Sequence, residues 1–302
     1  MIGGMSRKVP DISRIQIERK AAEGEMVDVM GGAGRWEVKV HDHGLVALVD
    51  VMPRLVPKGK TADFAIVQAA RVSYGAGTKQ VSEDRGLIRY LMRHGHTTPL
   101  EMVEFKFHHV MPIFVARQWI RHRTASVNEY SARYSIVPDR FYRPSVEAVR
   151  KQSTVNRQGG EENIDEGTAE QFLAYLDGVE AHYAEYQRLL EKGVTRELAR
   201  TGLPLNIYTE WYWKCDLHNL LHFLELRMDP HAQLEMRDYA VAMFAMIEAI
   251  VPEAAEAFLD YSYQSVRLSR LEVEALRAGG ELRTENKRER AEWEEKKKAM
   301  GL

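Results

Sequence analysis

Residues 103–110 set Val103, Phe105 and Phe107 against Glu104, Lys106 and His108. An alternation with a period of two turns every second side chain to one side, as a half-buried strand does and a helix cannot. Farther along, Phe172, Leu176, Val179, Tyr183, Tyr186 and Leu190 recur at steps of three and four, the spacing of one long amphipathic helix. A chain with both periods must pack helices on a sheet.

Other segments extend this reading. Val38, Val40 and the run Leu45-Val46-Ala47-Leu48-Val49 flank Asp42-His43-Gly44, which predicts a hairpin over 36–52. Residues 62–72 read as a helix with Thr61 as N-cap, and 83–93 as a second, with Leu87, Leu91 and Met92 on its stripe and Gly95 closing it. Pro112 starts a helix through Phe114, Val115 and Trp119. Past a polar loop at 145–168 and the long helix, more helices are expected over 196–201, 219–227, 233–251 and 252–261. No internal repeat is present. The expected fold class is α+β, a single domain in which a mixed or antiparallel sheet from the first half packs against a helical second half.

Residues 1–35 read as a flexible N-terminal arm, 36–265 as the domain, and 266–302 as a charged tail, helical or disordered, with ten basic and eight acidic residues. The cluster Gly31-Gly32-Ala33-Gly34 lacks the strand before it and the helix after it that a nucleotide-binding loop needs, so it reads as linker. Gly75-Ala76-Gly77 reads as a turn.

Composition narrows the function classes. With 45% hydrophobic residues among 302, the chain can bury a core, and its net charge of −2 creates no global basic field to draw it to nucleic acid or membrane. The single cysteine, Cys215, excludes an internal disulfide and fits a reducing cytoplasm. No signal peptide opens the sequence and no apolar run approaches the length that spans a bilayer. A cytoplasmic protein without membrane or nucleic-acid partners is expected.

Against that near-neutral background, 117–143 holds six arginines (Arg117, Arg121, Arg123, Arg133, Arg140, Arg143), no lysine and two acids, Glu129 and Asp139. Guanidinium groups grip phosphate or carboxylate oxygens with two parallel donors and stay charged at any working pH. Two acids cannot pair six arginines, so a surface salt-bridge network leaves most of them over. The window reads as a grip for a polyanionic small molecule.

Within it, Arg121-His122-Arg123, followed after seven residues by Ser131 and then Arg133, resembles the motif of the flavin-dependent thymidylate synthases. The flanking runs fit the same family in order and spacing. Upstream these are His94-Gly95-His96-Thr97-Thr98-Pro99-Leu100-Glu101 and Ala116-Arg117-Gln118-Trp119. Downstream they are Arg196-Glu197-Leu198-Ala199-Arg200, Leu203-Pro204-Leu205-Asn206-Ile207-Tyr208-Thr209, and the run from Phe223 through Arg227 to Gln233. The resemblance spans roughly residues 40–265 and leaves out arm and tail. It implies synthesis of dTMP from dUMP, with a methylene from methylenetetrahydrofolate reduced to methyl by hydride from FAD that NADPH has reduced. It also implies a homotetramer with active sites at subunit junctions.

The resemblance assigns roles residue by residue. Gln118, Arg121, Glu129, Tyr130, Ser131, Ala132 and Arg133 would bind dUMP, with Arg200 reaching it from a neighbouring subunit. Arg121, His122, Arg123 and Glu129 would meet FAD, joined by Ser73, His96, Thr98, Glu101, Asp216, Leu217, His218 and His222, and by His231 at the isoalloxazine ring. Arg227 would be catalytic: a guanidinium beside uracil N3 favours loss of the N3 proton and pushes electron density toward C5. No metal is implied. An acid such as Asp216 is electrostatically awkward beside an anionic cofactor unless it meets a ribose hydroxyl or an adenine amine.

Other readings stand beside these. Taken alone, Arg227 fits a helix C-terminus, where a cation balances the dipole. Ser131 lacks an evident base and orienting group, so it reads as a ligand and not a nucleophile. Cys215, in Trp211-Tyr212-Trp213-Lys214-Cys215, has an apolar setting that raises a thiol pKa. His218 and His222, four apart, with His94, His96, His108 and His109 elsewhere, admit a His-ligated metalloenzyme but lack the intervening glutamate of a zinc hydrolase. Arg117–Arg143 with Trp119, Tyr130, Tyr134 and Phe141 as stacking platforms would suit single-stranded nucleic acid.

Overall fold

The computed structural model describes residues 20, 22, 24–73, 84–152 and 160–302. The turn at 75–77, the first residue of the 83–93 helix and residues 153–159 of the polar loop lie outside them. In chain order the elements are β1 (Met26–Asp28), β2 (Trp36–Val40), β3 (Gly44–Met52), β4 (Leu55–Pro57), α1 (Asp63–Val72), α2 (Asp84–His94), β5 (Glu104–Pro112), α3 (Ile113–Trp119) and β6 (Ser126–Glu129). Then come β7 (Arg150–Gln152), β8 (Gly160–Asn163), α4 (Glu166–Glu180), α5 (His182–Glu191), α6 (Arg196–Ala199), β9 (Tyr208–Asp216), α7 (Leu217–Arg227), α8 (Leu234–Ile250), α9 (Pro252–Phe258), α10 (Arg270–Arg277) and α11 (Lys287–Met300).

A five-stranded antiparallel sheet, in the order β2-β3-β5-β9-β6, is the scaffold, and helices pack on it in the expected α+β manner. The alternation in β5 sends Phe105 and Phe107 into the core and leaves Lys106 outside. Opposite it, β9 turns Trp211, Trp213 and Cys215 inward, so that Phe107 faces Trp213 and Phe105 faces Cys215 across the ladder. Cross-strand aromatic pairs of this kind are the units that hold a sheet. On the outer face the ladder sets Lys106 opposite Lys214, but Lys214 Nζ reaches diagonally to Glu104 at 2.7 Å and Lys106 sits over the Tyr212 ring.

The main departure from the sequence reading is β9. It comes from the half of the chain expected to be helical, yet it lies between β5 and β6. The expected long helix over 172–190 is two helices, α4 and α5, meeting at Ala181. Gly178 lies three residues before the break, and a glycine weakens a helix interior. Thr61 does not cap α1. The N-cap is Ala62, and the Thr61 hydroxyl instead donates to Asp63 Oδ2 at 2.9 Å. Asp63 accepts from the backbone N–H groups of Glu253 (3.1 Å) and Ala254 (3.0 Å), so this buried carboxylate ties α1 to the start of α9.

The first strand begins ten residues before Trp36, inside the stretch read as an arm. β1 pairs with β4, Arg54 Nε holds Asp28 at 3.0 Å, and Met30 is buried in the main core. At the other end, α10 and α11 clasp Trp293, whose indole N–H donates to the Gly280 carbonyl at 2.9 Å, while Lys296 pairs with Glu272 at 2.8 Å. Among the described residues no helix is long and apolar enough to cross a membrane.

Candidate active site

Pro112, with its fixed φ, ends β5 and opens α3, and α3 ends on Trp119. Trp119 is fully buried and stacks on Phe223 of α7, with ring centroids 4.7 Å apart. That contact draws the adjoining turn, 120–125, down onto α7. The Cys215 thiol donates to the Thr124 carbonyl at 3.3 Å and pins the far end of the turn. Between turn, β9 and α7 lies a cavity of about 360 Å³ lined by Arg121, His122, Arg123, Thr124, Trp213, Cys215, Asn219, His222, Leu226 and Arg227. The motif and the proposed catalytic arginine, 105 positions apart from His122 to Arg227, therefore share one wall.

Their contact is direct: Arg227 Nε donates to His122 Nε2 at 3.0 Å. An imidazole nitrogen accepts a proton only when it carries none itself, so this bond requires neutral His122. Burial, with the Arg227 and His222 charges adding to it, pushes the His122 pKa down to about 4. Burial also lowers the Arg227 pKa from its ordinary value. No ion pair to Arg227 is found among the described residues, and only Nε is engaged, which leaves the two Nη groups for a ligand. The reading of Arg227 as a plain dipole partner misses this bond, although the residue does sit in the last turn of α7.

Helix α7 serves a second cavity on its neighbouring face. His218, Leu221, His222 and Glu225, at helical steps of three and four, line a space of about 280 Å³ with His96, Thr97, Ser262 and Arg267. His222 lines both cavities. The arginine window behaves as its composition implies: Arg133 pairs with Glu197 at 3.0 Å and Arg143 with Asp177 and Glu180, all acids from outside the window. Arg117, Arg121, Arg123 and Arg140 have no carboxylate partner among the described residues.

The remaining residues singled out in the sequence are dispersed. Gln118 lies on α3 with its Oε1 buried and unpartnered. Glu129 closes β6 and accepts from the Thr209 hydroxyl at 2.9 Å, and the Tyr130 amide donates to the Glu210 carbonyl at 2.8 Å. Ser131 Oγ receives the Arg133 amide at 3.4 Å. Ala132 packs on the small cluster of Val137, Phe141 and Tyr183, and Arg200 comes directly after α6, whose Glu197 holds Arg133. None of these six lines either cavity, and neither do Ser73, Thr98 or Glu101. Leu217 is core, its amide bound to the Val103 carbonyl. Asp216 is the N-cap of α7, accepting from the Asn219 amide at 3.0 Å and its Nδ2 at 2.8 Å, which gives that acid a structural task. His231 is exposed and bound to Asp229 at 2.9 Å.

Asn219, Leu226 and Glu225 were missed in the sequence, though one and two turns from His218 and His222 on a helix already recognised. Arg267 carries no such mark, since it lies past the last expected helix in a segment read as tail. Of the four stacking platforms for single strands, Trp119 and Phe141 are core residues and present no face to a base. Among the described residues no group of three or more His, Cys, Asp or Glu is set to hold a metal ion. Burial, followed by the charges of Asp216 and Glu104, raises the Cys215 thiol pKa far above its ordinary value, which disfavours the thiolate.

Comparison with known proteins matches this arrangement to one family. The sequence model described as thymidylate synthase complementing protein matches residues 54–253. A flavin-dependent thymidylate synthase of Dictyostelium discoideum is 68% identical over 290 residues, 96% of each chain. That of Thermus thermophilus is 55% identical over 245 residues, 81% of this chain and 86% of its own. A solved UMP/dUMP methylase, PolB from Streptomyces cacaoi bound with 5-Br UMP, superposes with a TM-score of 0.64 at 33% identity, over 75% of this chain and 98% of its own. The motif, the fold that seats it on α7 and these relatives agree: the chain belongs to the thymidylate synthase complementing protein family, that of the flavin-dependent thymidylate synthases.

Proposed function

We propose that the protein methylates dUMP to dTMP, taking the carbon from methylenetetrahydrofolate, with FAD as bound cofactor and NADPH as its reductant. The observation that carries the proposal is the half-buried Arg227 held by neutral His122 in a cavity whose mouth bears two unpaired guanidinium groups, Arg121 and Arg123. The donor set suits a flavin nucleotide. Unpaired arginines match its diphosphate, the histidines of the second cavity offer flat polar rings, and the orphaned Gln118 Oε1 is an acceptor awaiting an N–H group.

FAD, when bound, supplies the hydride that turns the transferred methylene into methyl. The chain's residues do the rest. Arg121 and Arg123 bind phosphate oxygens. The Arg227 Nη groups, on a half-buried side chain, would face the uracil edge and favour the N3-deprotonated form, which makes C5 the nucleophile. His122 keeps that guanidinium in one orientation and adds no charge of its own. The backbone and small side chains of 129–133 are assigned to the dUMP phosphate and pyrimidine, with Gln118 and Arg200. The remaining flavin contacts are assigned to Ser73, His96, Thr98, Glu101, Asp216, His218, His222 and His231, while Leu217, fully buried, has no side chain to offer.

The dispersal of the dUMP residues away from the cavities supports a site completed between subunits of a homotetramer, in which 129–133 and Arg200 of one chain meet the α7 cavities of another. The near-neutral charge and lone buried thiol support a cytoplasmic location. The first test is optical. The purified protein should be yellow, and its visible absorbance should bleach with NADPH under nitrogen and return in air at a rate that changes when dUMP is added. Colourless protein would overturn the flavin assignment.

A further inference from the structure

The segment after α9 does not leave the molecule as a loose tail. Residues Leu259–Tyr263 form one π-helical turn, a form enriched at functional sites, and it brings Ser262 to the 280 Å³ cavity. Three bonds fix the chain here: Tyr263 Oη donates to the Met228 carbonyl at 2.9 Å, the Gln264 amide to the Leu259 carbonyl at 2.9 Å, and the Ser265 hydroxyl to the Ser262 carbonyl at 2.9 Å. This strap crosses the end of α7 and delivers Arg267 to the cavity rim, where Nη2 meets Glu225 Oε1 at 2.7 Å. The Arg267 side chain is 70% exposed and that of Glu225 26%.

Among the described residues Glu225 is the one carboxylate lining this cavity, beside His96, His218 and His222. A bare carboxylate there would repel an anionic ligand, and Arg267 cancels it. The cancelling charge comes from outside residues 54–253, the stretch matched to the family. We propose that Arg267 is a further cofactor-binding residue: it neutralises Glu225 and offers its remaining donors to the anionic, diphosphate-bearing ligand of the histidine cavity. This rests on the flavin-binding reading above.

The test is the dissociation constant of FAD, read from the fluorescence of flavin released on serial dilution of the holoenzyme. Arg267→Ala should raise it about tenfold, the scale of one charge exposed to a nearby anion at a partly screened site. Arg267→Lys should stay within about threefold of wild type, since the charge is kept. The double variant Arg267→Ala/Glu225→Gln should recover part of the loss, because the repelling carboxylate is gone while the donors stay lost. An ion pair that only stabilised the surface would move the melting temperature and leave FAD affinity alone. Unchanged affinity in Arg267→Ala, or a double variant as weak as the single one, overturns the proposal. Wild-type protein without bound FAD would instead overturn the flavin reading itself.

Discussion

At the scale of single residues, the chemistry turns on which partner of a hydrogen bond carries charge. The Arg227–His122 bond places a permanent cation against an imidazole, and it survives only while that imidazole is neutral. The unfolded chain takes up the His122 proton near the ordinary 6.5, whereas the folded chain does so near 4. Between those values the unfolded state holds more protons, so this site withdraws stability as pH falls from about 6.5 toward 4 and contributes no pH dependence above. A histidine NMR titration should give His122 a midpoint near 4, moving upward in Arg227→Ala as the neighbouring charge is removed. A midpoint at 6.5 in the wild type would contradict the neutral-acceptor role. The residue types of this pair were legible in the sequence, through the Arg-His-Arg motif and the Phe223–Gln233 run. Their contact was not, because no local pattern links positions 105 apart.

At the scale of elements, the first-half hairpin, β5 and α3 come from period and proline position, and the structure has them within a residue or two. β9 did not stand out, because its alternation of Trp211, Trp213 and Cys215 with Tyr212 and Lys214 is written in aromatics on both faces. Tyr212 reads as apolar in sequence, yet it is an exposed outer-face residue that stacks on His108. Likewise, helical spacing over 172–190 is satisfied by two helices as well as by one. The hairpin carries a tight element junction at Gly44. A Cβ there would overlap both Tyr239 Oη, which donates to the Val110 carbonyl at 2.8 Å, and the Val40 carbonyl. Neither neighbour is the free end of a flexible chain, since Tyr239 is fully buried in α8. Gly44→Ala should therefore destabilise the fold by about 1–3 kcal/mol, the usual range for overpacking, as read from the urea midpoint. An unchanged midpoint would show that α8 does not press on the hairpin as described.

At the scale of the whole molecule, one helix organises the site. α7 is anchored by the Asp216 cap at its start, packed on Trp119 through Phe223, and crossed at its end by the strap that carries Arg267. Its two faces serve two cavities, with His222 between them. The arginine window supplies one wall, and the segment beyond residue 253 supplies part of the other. Composition alone could show an anion grip. The cavity it lines becomes visible only when β9, hidden in the sequence, sets α7 beside the motif. The most direct measurement of the central claim is dTMP formed from dUMP, methylenetetrahydrofolate and NADPH by the wild type and by Arg227→Ala, with bound flavin quantified in both. The wild type should form dTMP, and the variant should lose about 10²–10³-fold in turnover at unchanged flavin content, the scale for removing one charge-stabilising donor. Wild-type turnover in Arg227→Ala would contradict the claim.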